Sequence, residues 1–403
     1  MLADSVSENA SNIPFTILHR DPLTHARRGR LQLKHGTMET PVFMPVGTRG
    51  NVRGISAEEL ETLNSEIMLG NTYHLFERPG IDIIRDMGGL HAFTGWNRNL
   101  LTDSGGFQIF SLAHSRKLSD HSVTFRSLLD GTQHELTPER VVQIQEIFGS
   151  DIMMMLDECP PAHANYDEVK WAVERTTKWA ARGRASQTRD DLQLFPIVQG
   201  GIFEDLRRKS LDEIMALESR EQPWKGLAIG GLSVGEDKKD FVRILYEMRN
   251  WLPEEKPHYL MGVGTPRDLV FGVACGIDMF DCVLPSRNGR HGIVMTRKGR
   301  MNLINAKFQR DEKPIDESCS CSVCGRHSRA FLRHLFQVGD TLGGRLATLH
   351  NIAYFLDLMR DIRLALDEGR FAAFMNDFLA QEDQIFLGGE KTFGTYPSFS
   401  AMS

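Results

Sequence analysis

Eight times along this chain a short apolar run bounded by turn residues gives way to a stretch of helical period, and no other feature limits the possible folds so strongly. The runs span 42–48, 66–71, 99–107, 151–158, 194–201, 226–231, 258–264 and 279–286. The helical stretches span 56–64, 80–87, 138–148, 166–185, 203–217, 238–251, 266–275 and, after a long interruption, 350–367. Strands that are apolar on both faces need cover on both sides, so the alternation predicts a parallel sheet wrapped in helices. Eight repeats match a closed (β/α)₈ TIM barrel of the α/β class better than an open doubly wound sheet. The chain has 403 residues, more than the ~250 of such a barrel, so an insertion is expected.

Residues 287–349 break the alternation and read as that insertion, placed between the last strand and the last helix. The barrel then comprises 13–286 and 350–387, with flexible tails expected at 1–12, rich in Ser and Asn, and at 388–403, rich in Gly, Ser and Thr. From 286 to 333 eleven Lys and Arg stand against four acids, a local charge of +7 in a chain whose net charge is −6. One basic field on an acidic body suits attraction to a phosphate backbone, and Arg287 and Arg290 sit where that field meets the eighth strand. No run approaches the ~18 apolar residues of a membrane span, and the first residues lack a secretory signal, so a cytoplasmic protein without membrane contact is expected.

Six cysteines are too few for a disulfide scaffold, and Cys319, Cys321 and Cys324 crowd into six positions. Three thiols at that spacing suit one tetrahedral Zn²⁺ per chain, which needs a fourth ligand if it is structural. His327, His334 and His350 compete for the place. His350 is preferred, because it opens the last helical stretch and would pin the insertion to the barrel.

In this fold the C-terminal ends of the strands form the working face. Reading those ends gives Gly70-Asn71-Thr72, Asp103-Ser104-Gly105-Gly106, Asp157-Glu158-Cys159, Gln199-Gly200-Gly201, Gly230-Gly231-Leu232, Gly262-Val263-Gly264 and Asp281-Cys282. Asp103 and Asp281 arrive from the third and eighth strands. Paired carboxylates are the usual apparatus for substitution at a glycosidic carbon, one attacking or shielding C1′ and the other moving the leaving group's proton. Asp157, Gln199 and the backbone N–H groups near Gly230 and Gly231 would suit a guanine-like edge. Phe107 and Met261, each beside a rim glycine, are placed to sandwich a flat ring.

The motifs Asp103-Ser104-Gly105-Gly106-Phe107-Gln108, Leu156-Asp157-Glu158-Cys159-Pro160-Pro161, Val198-Gln199-Gly200-Gly201, Gly230-Gly231-Leu232-Ser233-Val234-Gly235 and Phe280-Asp281-Cys282-Val283-Leu284-Pro285-Ser286-Arg287, with the Cys-x-Cys-x₂-Cys…His set, together resemble bacterial tRNA-guanine transglycosylases, the queuine tRNA-ribosyltransferases. The resemblance covers nearly the whole chain. It implies a homodimeric zinc-containing barrel that exchanges guanine at the wobble position of the tRNA anticodon loop for the queuine precursor preQ1. It also implies Asp281 as nucleophile and Asp103 as general acid and base. Asp157, Gln199, Gly230, Gly231 and Leu232 would read the base, Phe107 and Met261 would stack on it, and Cys319, Cys321, Cys324 and His350 would bind zinc. Phe107 departs from the Tyr common in the family, keeping the stacking face without the hydroxyl. A glycan hydrolase would use the same carboxylates, yet it leaves the basic cysteine-bearing insertion unexplained.

Overall fold

The computed structural model describes residues 14–112, 116–219, 222–386 and Tyr396, so the expected tails at 1–12 and 388–403 lie outside the described residues apart from Tyr396. Eight parallel barrel strands follow one another along the chain. They are β1 (Val42–Gly47), β2 (Ile67–Asn71), β3 (Asn99–Asp103), β4 (Ile152–Met154), β5 in two pieces (Gln193–Phe195 and Ile197–Val198), β6 (Leu227–Ile229), β7 (His258–Leu260) and β8 (Met279–Cys282). Each pairs with its neighbour and β8 pairs with β1. The two pieces of β5 flank Pro196, which has no N–H to give to the ladder. Its carbonyl still accepts from Ala228 N at 2.9 Å, so β5 bridges β4 to β6 and the sheet closes on itself. This is the expected (β/α)₈ barrel.

The helices between the strands are α1 (Ala57–Thr62), α2 (Ile81–Asp86), α3 (Pro138–Phe148), α4 (Tyr166–Ser186), α5 (Glu204–Met215), α6 (Lys238–Met248), α7 (Pro266–Ala274) and α8 (Thr341–Asp367). Their starts follow local chemistry. Ser56 with Glu59 and Asn165 with Glu168 form capping boxes at α1 and α4, and Thr265 caps α7 just before its first-turn proline.

Strand parity sets the two sides of the barrel wall. Val42, Met44, Ile67, Leu69, Leu101, Ile152, Met154, Ile197, Ala228, Tyr259 and Met279 face inward and form one buried cluster. Phe43, Met153, Val198, Leu227, Leu260 and Phe280 face outward into a second, shared with the helices. The inner cluster also takes in Phe15, Leu31, Leu33 and Met38. These come from an antiparallel sheet (Phe15–Arg20, Arg27–Leu33, Gly36–Thr40) that closes one end of the barrel. A second antiparallel sheet (Arg116–Leu118, Val123–Arg126, Gln133–Leu136) lies between β3 and α3. Neither sheet is apparent in the β/α alternation.

After β8 come a short helix (Leu284–Arg290), a hairpin (Ile293–Thr296 with Gly299–Asn302), the cysteine segment and a helix (Arg329–Gln337). The last barrel helix starts at Thr341, N-capped by Asp340, nine residues before the expected start at 350. Gly343 and Gly344 are close-packing positions inside this helix: an added Cβ would stand 3.0 Å from the Leu335 Cβ and 3.2 Å from the Arg290 backbone. His350 therefore lies well inside α8 rather than opening it.

Candidate active site

Parity carries the functional side chains to one place. With Leu101 and Met279 facing inward, Asp103 and Asp281 two residues on also face inward, as Asn71 does after Leu69, Gln199 after Ile197 and Met261 after Tyr259. They meet in a cavity of about 360 Å³ at the C-terminal rim, lined also by Phe107, Asp157, Gly230, Gly231 and Leu232. Every residue expected to bind the base or act on it lies in this lining. Phe107 is 50% exposed, a ring at the cavity wall rather than in the core.

Asp103 is buried and held by three donors. Asn71 Nδ2 donates to its Oδ2 at 2.5 Å, while Thr72 N and Gly105 N donate to its Oδ1 at 3.0 and 3.2 Å. Asn71 cannot turn its amide over, because its own Oδ1 accepts from His74 N in the first turn of a short helix (Thr72–Glu77). Burial pushes the Asp103 carboxyl up to about 7; the nearby Asp281 and Asp157 carboxylates add to this and the Thr72 and Gly105 N–H groups oppose it. The positive φ of Gly105, +78°, sets the turn that returns its N–H to Asp103, and a Cβ there would meet the Tyr73 backbone at 3.0 Å.

Asp281 is oriented from one side only. Tyr259 Oη and Gly262 N each donate to its Oδ1 at 2.7 Å. Its Oδ2 has no hydrogen-bond partner among the described residues. Burial raises its pKa, and the two donors pull the other way. Tyr259 is itself buried, so its hydroxyl stays protonated and remains a donor.

Across the cavity, Gln199 Nε2 donates to Asp157 Oδ2 at 2.7 Å and Ser104 Oγ to Asp157 Oδ1 at 3.2 Å. Burial raises Asp157 to about 6 against these hydrogen bonds. Gln199 Oε1 is buried without a hydrogen-bond partner. A Cβ on Gly231 would lie 2.3 Å from that oxygen and one on Gly230 2.6 Å from Nε2, so the two glycines let the amide reach the cavity. The site thus offers carboxylates, an unmatched acceptor and a ring wall for a flat polar ligand.

Cys319, Cys321, Cys324 and His350 bring their ligand atoms within 4.8 Å of one another. The Cys321 and Cys324 sulfurs lie 3.7 and 3.3 Å from His350 Nδ1. His350 Nε2 lies 2.8 Å from the Met295 carbonyl, so the proton belongs on Nε2 and the Nδ1 lone pair faces the thiols. The donor set and its geometry fit a metal ion. His327 stacks on Phe331 and belongs to no such cluster among the described residues, and neither does His334.

Arg287 and Arg290 lie on the short helix after β8, outside the cavity lining. Burial, and after it the charges of Arg53 and Arg287, hold the Arg290 guanidinium below its usual pKa. Sequence reasoning missed Arg53, Asn71 and Tyr259 as partners of these groups. Inward parity was the signal for the last two, and nothing marked Arg53.

Among the described residues no helix is long and apolar enough to cross a membrane. The family model described as queuine tRNA-ribosyltransferase matches residues 21–384. Curated queuine tRNA-ribosyltransferases are similar over most of their length. That of Methylibium petroleiphilum is 50% identical over 91% of this chain and 98% of its own. That of a Janthinobacterium strain is 51% identical over 88% and 96%, and that of Moorella thermoacetica 50% over 91% and 97%. With the match spanning the barrel, the cavity and the cysteine segment alike, the chain belongs to the queuine tRNA-ribosyltransferase family.

Proposed function

We propose that this chain is a pentosyltransferase that exchanges guanine at the anticodon wobble position of tRNA for preQ1, through a covalent ribosyl-aspartate. The observation that carries the reading is the unequal pair of carboxylates. Asp281 presents one unpartnered oxygen, while Asp103 holds its proton up to about pH 7. In the first step Asp281 Oδ2 attacks C1′, the C1′–N9 bond breaks, and Asp103 gives its proton to the departing guanine. In the second, Asp103 takes the N9 proton of preQ1, whose nitrogen attacks C1′ and releases Asp281. Two displacements return the original configuration and no external energy source is needed.

Asp157 accepts from the N1–H and 2-amino group of the base, Gln199 supports it, and backbone N–H groups at Gly231 and Leu232 meet the 6-oxo group. Phe107 and Met261 cover the ring faces. The cysteine and histidine cluster suits one structural Zn²⁺, since four protein ligands leave no open position for chemistry. Arg287 and Arg290 make phosphate contacts with the anticodon loop. The segment after β8 exposes Ile304, Phe331 and Val338, apolar surface consistent with a homodimer.

The deciding experiment incubates the protein with labelled guanine and unmodified tRNA. Label entering intact tRNA supports the exchange, and its absence under conditions where the protein binds tRNA overturns it.

A further inference from the structure

Arg207 is fully buried on α5 and forms no ion pair among the described residues; its hydrogen bonds all go to backbone carbonyls. Nε donates to Gly201 O at 2.9 Å, Nη1 to Val198 O at 3.1 Å and Gly230 O at 2.6 Å, and Nη2 to Gly231 O at 3.0 Å. Burial lowers its pKa to about 10, which still leaves it charged at neutral pH. A buried cation is costly, and a structural tie between two strand ends could be made by a neutral amide. The fork of five donors does something an amide cannot: it fixes several peptide planes at once.

A trans peptide is planar, with its carbonyl and the following N–H on opposite sides. Turning the Gly230 and Gly231 carbonyls onto Arg207 therefore turns the Gly231 and Leu232 N–H groups away from it. Gly230, Gly231 and Leu232 all line the cavity, so the side opposite Arg207 is the ligand's. Gly230 and Gly231 have no side chain to resist rotation, and Gly231 sits at φ +64°. Without an anchor behind them these planes would be free to offer carbonyls instead of N–H groups to the ligand. Gly200 completes the arrangement: a Cβ there would lie 2.6 Å from Arg207 N, so glycine lets α5 start close enough for the guanidinium to reach β6.

We propose that Arg207 is a positioning residue that sets the donor polarity of the Gly230–Leu232 backbone and thereby selects bases carrying a 6-oxo group. The inference rests on the guanine-edge reading above and deepens it. The test measures competition by free bases against guanine for the wild type and for Arg207→Lys, which keeps the charge but cannot span four carbonyls. 6-Thioguanine keeps N1–H and the 2-amino group but offers a weak sulfur acceptor. Hypoxanthine keeps the 6-oxo group and lacks the amine that Asp157 reads. The expected result is that Arg207→Lys narrows the preference for guanine over 6-thioguanine by roughly tenfold, about one neutral hydrogen bond, and leaves the preference over hypoxanthine within twofold. Arg207→Gln, shorter and uncharged, gives the same comparison if the lysine variant folds poorly. An unchanged 6-thioguanine ratio in the folded variant, or an equal collapse of both ratios, overturns the proposal. Label incorporation by the wild type reports separately on the exchange: a wild type that selects guanine yet transfers none refutes the activity and not the role of Arg207.

Discussion

A carboxylate at the rim of an apolar barrel is useful only when its neighbours decide its charge, and Asp103 and Asp281 differ in their neighbours rather than in residue type. Asp281 accepts two hydrogen bonds on one oxygen, which leaves the other open for the attack proposed above. Asp281→Asn keeps the shape and loses the anion, so adduct formation with tRNA should fall below about 10⁻³ of wild type while guanine binding survives. Denaturing electrophoresis of the trapped complex checks this, and a persistent adduct would transfer the role elsewhere. Asp103, raised to about 7, is protonated below that pH and ionised above it. Single-turnover release of guanine should therefore slow as pH rises through about 7, and entry of the incoming base should speed up over the same window. The same shift has a stability consequence of definite sign. The folded protein holds this proton more tightly than the unfolded chain, with its ordinary value of 3.8, so the group's penalty is absent below about pH 4 and fully present above about 7. A pH-independent release step would remove Asp103 from proton transfer.

Between elements, the legible part was whatever repeats. The strands and most of the helices follow from apolar runs and period, and the ends of the third and eighth runs already placed Asp103 and Asp281 at the rim. Asp157 was legible from its place at the end of an apolar run, not from parity. Period two from Ile152 and Met154 would point residue 156 inward, but β4 ends at Met154 and the chain that leaves the sheet turns Asp157 into the cavity instead. The start of α8 was hidden because glycines that serve helix packing look like glycines that break helices. Gly289 makes the same point from the other side of the contact. A Cβ there would meet Thr348 N and Cα at 2.6 Å each, both backbone atoms of α8 that cannot swing aside. Gly289→Ala should cost about 1–3 kcal/mol and move the Leu284–Arg290 helix off α8. Thermal unfolding checks the cost, and tRNA affinity should fall while guanine affinity holds. Metal loading tests the neighbouring contact: His350→Ala should lose the bound metal and destabilise the segment between β8 and α8, whereas His327→Ala should lose neither. Retention of metal in His350→Ala would move the fourth ligand.

At the scale of the whole molecule the problem is how a chain of net charge −6 holds a polyanion. The residues outside 286–333 carry −13, so long-range attraction to tRNA has to come from the +7 of that segment, close to the cavity mouth where β8 ends. The Arg290 guanidinium there is held below its usual pKa by burial and then by the charges of Arg53 and Arg287, and a phosphate would relieve that cost. Each neutralised phosphate releases condensed counterions and adds roughly 0.7–0.9 to the log–log salt slope of binding. Arg287→Ala and Arg290→Ala should each flatten the slope for tRNA by about that amount, and the double variant by about twice it. Arg53→Ala should do the same. Free-guanine affinity should not change in any of them, because the proposed base-reading groups, Asp157 and Gln199, line the cavity and stand apart from the surface field. If Arg287 served mainly to hold the nucleophile strand, its loss would lower turnover and leave the slope intact. Titrating tRNA affinity against salt for each variant separates the two cases, and unchanged slopes for all three arginines would rule out this cluster as the phosphate site.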